Sequence, residues 1–241
     1  MNDAQTNGGT DRRTRDFTLA SLAVAYPGPE MAEAFQALRT ELALHPGLGA
    51  LLHRLEAGLD GLRGDWLSCF DTGKERVPLY ETEYGRMRGL AKGRDLADIV
   101  GFYNAFGFDL AQGPPAEPPD HLAIELEFYA LMLHKQVLLA GDPTGQEIVA
   151  DGRRKFLVDH LGAFVGALAT RPSVVADPVY GPLLAWCAAL VAEECRAEGV
   201  TPAPLDFFEQ EDGAVVANCG GCVAIPGMAR RDDAQEGRPP G

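Results

Sequence analysis

The chain has 241 residues, 46% of them hydrophobic and 23% charged, which is ample apolar material for a buried core. With 35 acidic against 21 basic residues the formal net charge is −14. Such a surface repels nucleic acid and anionic lipid and favours a cationic partner. No apolar run approaches the roughly 18 residues that span a bilayer, because Gly, Pro or a charge interrupts each stretch sooner, so no membrane association is expected. The five cysteines stand at irregular spacing, unlike the even framework of a small secreted domain, and point to a reducing compartment, the cytoplasm.

Residues 1–14 are polar and read as a disordered tail. Arg12 and Arg13 then precede an apolar run from Phe17 to Tyr26 that imitates an export signal. Asp16 spoils the imitation, and Leu19, Leu22, Ala23 and Tyr26 recur at helical spacing, so the run is expected to open the fold as an amphipathic helix, 17–25. Further helices are expected at 30–44, 48–59, 65–72, 96–106, 121–140, 146–169 and 178–198. Breakers such as Pro27-Gly28-Pro29, Pro46-Gly47 and Gly141-Asp142-Pro143 separate them. The fold class is therefore all-α: a single-domain helical bundle over 15–210, followed by a flexible tail, 211–241, in which only 214–217 has strand character.

The proline-rich linker 112–119 cannot be helical and leaves the oligomeric state open between a monomer and a homodimer swapped across it. Asp120 follows the linker, placed to cap the next helix. That helix carries apolar residues on nearly every side, Leu122, Leu126, Tyr129 and Leu133 along one and Ile124, Phe128, Leu131 and Leu138 along another, and should be the central one.

Familiar catalytic patterns are missing from the sequence. Gly73-Lys74 is followed by Glu75 and has Ser68 where a P-loop needs its first Gly. None of the three serines, Ser21, Ser68 and Ser173, lies in a Gly-x-Ser-x-Gly turn. Neither a His-Glu-x-x-His pair nor a dinucleotide-binding glycine pattern occurs.

Three features remain. His121 and Glu125 stand one helical turn apart and could share a proton or a metal, which would make a helical enzyme; read structurally, Asp120 is an N-cap and His121 and Glu125 are exposed first-turn residues. Cys219 and Cys222 form a C-x-x-C pair able to bind zinc or cycle as a disulfide, the basis of an alternative reading as a redox or zinc-dependent regulator; Cys187 and Cys195 read as the buried side of a helix. Tyr80, Glu81, Glu83 and Tyr84 interleave aromatics with carboxylates, suited to a cationic peptide; read structurally, the tyrosines edge the core and the glutamates face water.

The run Asp98-Ile99-Val100-Gly101-Phe102-Tyr103-Asn104-Ala105-Phe106-Gly107-Phe108, followed by Glu117-Pro118-Pro119-Asp120-His121-Leu122-Ala123-Ile124-Glu125-Leu126-Glu127-Phe128, closely resembles the TorD and NarJ-like redox-enzyme maturation chaperones. A helix ending in Phe-Gly, a proline-rich linker and Pro-x-Asp-His leading into Glu-Leu-Glu-Phe stand in the family's order. The looser likeness runs from about Phe17 to Phe208, and 79–85 resembles members serving dimethylsulfide, selenate, chlorate or ethylbenzene oxidoreductases. The resemblance implies a chaperone without catalysis or cofactor that binds the catalytic subunit of a molybdenum oxidoreductase of the dimethyl sulfoxide reductase type. It would bind through the client's N-terminal leader, often a twin-arginine signal, until the molybdenum cofactor is inserted. By residue matching it gives client-binding roles to Asp120 and His121, with Glu117 and Pro119 shaping the linker. It says nothing of Cys219 and Cys222.

Those two cysteines lie beyond the last strong helical pattern. Replacing both is expected to leave the melting temperature unchanged; a large drop, or stoichiometric zinc in the purified protein, would reveal a structural metal site.

Overall fold

A helix as apolar as the one after Asp120 can be stable in water only if neighbours cover it, and the bundle is arranged to do so. The computed structural model describes residues 3–72, 76–85, 92–110 and 117–205, with side chains from Arg12 onward. In chain order the helices are α1 (Asp3–Val24), α2 (Pro29–Ala37), α3 (Arg39–Leu42), α4 (Gly49–Glu56), α5 (Leu59–Trp66), α6 (Lys92–Ala105), α7 (Leu122–Leu138), α8 (Pro143–Phe156), α9 (Gly162–Ala169), α10 (Pro172–Ala176) and α11 (Tyr180–Glu198). A π-helical turn, Leu67–Asp71, prolongs α5, and another, Leu157–Leu161, joins α8 to α9. Among the described residues the β-structure is one isolated antiparallel bridge, Tyr80 to His121. The all-α expectation is met. The linker residues 111–116, the stretch 214–217 and the pair Cys219 and Cys222 lie outside the described residues.

The punctuation is local chemistry. Asp142 accepts from the Gly145 amide at 3.1 Å, and Pro143 occupies the first turn of α8. Gly199 ends α11 in the left-handed region at φ 67°. Several boundaries differ from expectation. The helix expected from Phe17 has helical backbone from Asp3, inside the stretch read as a tail. The helix expected over 30–44 breaks at Leu38, where φ is −100° and ψ 11°. No separate helix was expected at α10, which Pro172 starts.

α7 packs chiefly on α1 and then on α8, burying Leu122, Leu126, Phe128, Tyr129, Met132 and Leu133. Its covering is less complete than its sequence suggests, for Leu131 is 37% and Leu138 71% exposed. Opposite Leu126 and Tyr129, α1 contributes Phe17, Leu19, Ala20, Ala23 and Val24, and the Phe17 and Tyr129 rings lie 4.6 Å apart. Cys187 and Cys195 are buried, as expected. Burial lifts the Cys187 thiol to about 12, which keeps it an inert apolar group at neutral pH.

Several polar groups inside this bundle find partners across it. Ser21 donates to the Ala123 carbonyl at 2.8 Å, fixing α1 against the first turn of α7. Arg13 makes a forked pair with Glu194 of α11, its Nε donating to Oε1 at 2.6 Å, and the Tyr129 hydroxyl donates to Oε2 at 2.8 Å. Arg153 of α8 stands 3.8 Å from Glu194 and 2.7 Å from Glu198. One carboxylate thus ties α1, α7, α8 and α11 together.

Glu194→Ala would leave Arg153, 5% exposed, and the half-buried Arg13 beside one another with a counter-charge removed. Breaking a buried ion pair in this way costs about 3–5 kcal/mol. Urea unfolding should show a loss of that order; a loss under about 1 kcal/mol would make the cluster dispensable.

Candidate functional site

The residues that carry the sequence resemblance interlock. α6 ends at Phe106 as C-cap, with Gly107 at φ 76°, the Gly107 amide donating to Asn104 O at 3.0 Å and the Phe108 amide to Tyr103 O at 2.9 Å. These two bonds are a Schellman stop, which explains the glycine of the Phe-Gly pair. Tyr103 and Phe108 then both pack on Phe128 of α7, at 4.7 and 5.7 Å between ring centroids. The Tyr103 hydroxyl donates to the Pro119 carbonyl at 2.7 Å and fixes the end of the proline-rich linker.

From there the chain clasps the segment 79–83. The Glu81 amide donates to Asp120 O at 2.9 Å, and the Leu122 amide to Leu79 O at 2.8 Å. The Asp120 carboxylate accepts from the Thr82 hydroxyl at 2.6 Å and from the Thr82 amide at 3.2 Å. Asp120 is therefore not the N-cap of α7. His121 is: its Nδ1 accepts from the Ala123 amide at 3.1 Å. The reason is competition, because a short carboxylate already bound to Thr82 is not available to the helix end, and the next residue takes over.

His121 and Glu125, expected as exposed first-turn residues, are 1% and 0% exposed. The expectation fails because the 79–83 segment lies over the first turn of α7. Burial pulls the His121 imidazole down to about 4 against the opposing charge of Asp120, so the ring is neutral near pH 7. A neutral ring that accepts at Nδ1 carries its proton on Nε2. Burial, reinforced by Glu81 and then Asp120, lifts the Glu125 carboxyl well above its ordinary value. Together these shifts describe a neutral imidazole and a carboxyl biased towards its protonated form, both buried under the clasp.

The residues 79–85 also differ from their expected arrangement. Glu81–Glu83 is a single 3-10 turn, and Glu81 points inward with its side chain only 11% exposed, both oxygens 3.2 Å from His160 Nδ1. Tyr84 is 4% exposed and donates to Pro78 O at 3.0 Å, so it belongs to the core. Tyr80, half-buried, sets its ring edge-on to His121 at 5.2 Å. Glu83 pairs with Lys92 at 3.2 Å. Of the eight residues singled out as client-binding, Tyr80, Glu83, Glu117 and Pro119 present surface, Glu81 a little, and Asp120, His121 and Tyr84 almost none.

His160 is the residue sequence reading missed. It lies on the π turn after α8, with Nδ1 at Glu81 and Nε2 3.4 Å from Asp98 of α6. Burial alone would pull its imidazole down, but the hydrogen bond and charge of Glu81, with Asp98 and Asp159 behind, outweigh it, and the net shift is upward. Its pairing to a residue 79 positions away leaves no local signal. Among the described residues, no group of His, Cys, Asp or Glu is arranged to hold a metal ion, and no helix is long and apolar enough to cross a membrane.

These shifts give stability a pH dependence. His160, raised in the fold, contributes fully below its unfolded value of 6.5 and loses that contribution as pH rises through the folded value. Glu125, also raised, costs stability as pH climbs above 4.5, where the unfolded chain ionises and the fold does not. His121 acts in the opposite sense, but only between about 4 and 6.5. Above pH 6.5 the His160 contribution falls, so the melting temperature should drop as pH rises from 6.5, and Glu125→Gln should remove the separate decline that begins above pH 4.5. A midpoint that climbs as pH rises from 6.5 would contradict the assignment.

Residues 28–170 match the family described as nitrate reductase delta subunit. The selenate reductase assembly chaperone protein of Thauera selenatis is 29% identical over 168 residues, spanning 65% of this chain and 85% of that protein. The chlorate reductase assembly chaperone protein of Ideonella dechloratans is 32% identical over 133 residues, 53% of this chain and 66% of that protein.

Proposed function

Because the chain belongs to the nitrate reductase delta subunit family, we propose that it is an assembly chaperone, not a catalyst, for the catalytic subunit of a molybdenum oxidoreductase of the dimethyl sulfoxide reductase type. It would act in the cytoplasm, before that subunit is exported. The observation that supports the reading is the clasp itself: the Asp120 carboxylate holds Thr82 and the His121 ring caps α7, so both side chains of the Asp-His pair serve to set 79–83 against the first turn of α7 and shape the surface there. The similarity to assembly chaperones for selenate and chlorate reductase supports the same class of client.

The partner feature best suited to this surface is the client's basic N-terminal leader. Tyr80, Glu83 and Glu117 ring the clasp with one aromatic and two carboxylates, on a protein of net charge −14. An arginine of the leader would stack on the tyrosine and compete with Lys92 for Glu83. Rim charges of this kind are worth about 0.2–1 kcal/mol each and mainly speed encounter.

Titration calorimetry with the leader peptide should give saturable binding that weakens several-fold as the Debye length falls from about 10 Å at 0.1 M salt to about 3 Å at 1 M. A leader with its arginines replaced should bind more weakly at low salt and respond less to salt. If the leaderless catalytic subunit bound as tightly as the intact one, recognition would lie in the client's folded body.

A further inference from the structure

The first two turns of α6 are held by charge rather than by packing. Among residues 92–98 no side chain is buried, and Ile99 is the first of the helix to enter the core. Two ion pairs tie this stretch to the 3-10 turn Glu81–Glu83. Lys92 meets Glu83 at 3.2 Å, and Asp98 stands 3.4 Å from His160 Nε2, whose ring turns Nδ1 to both Glu81 oxygens at 3.2 Å. Segments with few buried apolar contacts open first, so these pairs decide whether the start of α6 stays closed.

His160 can serve both carboxylates in one state only. An imidazolium presents an N–H at each ring nitrogen, whereas a neutral ring has one N–H and turns a lone pair to the other acceptor. Burial decides which carboxylate then loses its donor. The Glu81 side chain is 11% exposed and has little access to water, while that of Asp98 is 66% exposed and hydrates freely. The neutral ring therefore keeps its proton on Nδ1 and faces Asp98 with the Nε2 lone pair. Among the described residues, the other groups around the ring do not rescue that contact. Asp159 adds negative charge from the same π turn, Glu125 of α7 and Asp120 act behind Glu81, and the Phe102 and Phe156 rings lie 5.3 and 5.4 Å away. Burial opposes the charge on His160, but Glu81, Asp98 and Asp159 outweigh it, so the proton leaves above pH 6.5.

We propose that His160 is a proton-operated pin for α6. With a proton on each ring nitrogen it fastens the start of the helix to the 81–83 turn; on losing one to water it keeps Glu81 and releases Asp98, and residues 92–98 open while the bundle stays folded. Opening also lifts Lys92 from Glu83, so rising pH uncovers the acidic rim of the clasp. The device belongs to the free protein and does not depend on any client.

Hydrogen exchange of the 96–99 amides, which bond to the carbonyls of 92–95, reads this opening in the full chain once rates are corrected for base catalysis. Protection there should fall about tenfold from about pH 6 to about pH 8.5, while the amides of α7 hold theirs. NMR titration should give the His160 imidazole a midpoint above 6.5 that coincides with the step. Asp98→Asn, at an exposed position that spares the fold, should lower that midpoint by about half a pH unit and weaken protection of 96–99 on the acid side. His160→Gln should show the low protection at every pH, and Glu125→Gln should retain the step. The proposal is overturned by a flat profile in the wild type, or by a step that survives His160→Gln or vanishes in Glu125→Gln. Should His160→Gln fail to fold, Asp98→Asn decides: a midpoint and a step that it leaves in place would show that no pin joins His160 to α6.

Discussion

Everything at the candidate site hangs on the Asp120 carboxylate gripping Thr82 through both hydroxyl and amide. Two buried donors satisfied by one charged acceptor make a strong contact in a low-dielectric setting, and losing the acceptor would strand both donors. With that grip in place, the bridge between Tyr80 and His121 forms, Glu81 turns inward to His160, and His121 moves into the capping position of α7. The two halves of the resemblance motif, 98–108 and 117–128, are joined by the Tyr103 hydroxyl on the Pro119 carbonyl and by Tyr103 and Phe108 packed on Phe128.

The same clasp accounts for the ionisable groups under it. Glu81, Glu125, Asp120 and His160 would repel or attract one another weakly in water, but burial shifts the balance of Glu125 towards its protonated form and that of His160 towards its charged form. Perturbed ionisable groups gathered in this way are common at active sites. The geometry argues otherwise, because each group is occupied with a neighbour or sealed from solvent. The surface left over around the clasp is a rim of one aromatic and two acidic residues, Tyr80, Glu83 and Glu117.

Much of the fold was legible because its signals are local. The apolar circumference of 122–138, the break at Gly141-Asp142-Pro143 and the stop at Gly107 each depend on residues within one or two turns, although α8 starts at Pro143, three residues before the expected 146. The reading of Asp120 as a helix cap missed by one position: His121 caps α7, and the Asp120 carboxylate turned to a residue 38 positions away. Thr82 and His160 carried no signal at all, since their importance lies in partners brought close only by the fold. Glu81 was misjudged for a related reason. Periodicity put it on a wet face, whereas the bridge to His121 forces a single 3-10 turn and swings the side chain inward.

The most direct test is a double-mutant cycle on Thr82→Val and Asp120→Ala, read by affinity for the client's catalytic subunit. If Asp120 acts by holding the 79–83 segment, Thr82→Val should weaken binding in the same direction, and the double variant should lose far less than the sum of the two, with a coupling of about 1–3 kcal/mol. Strictly additive losses, or a Thr82→Val variant that binds as wild type does while Asp120→Ala fails, would mean that Asp120 meets the client itself and that the clasp is not what organises the site.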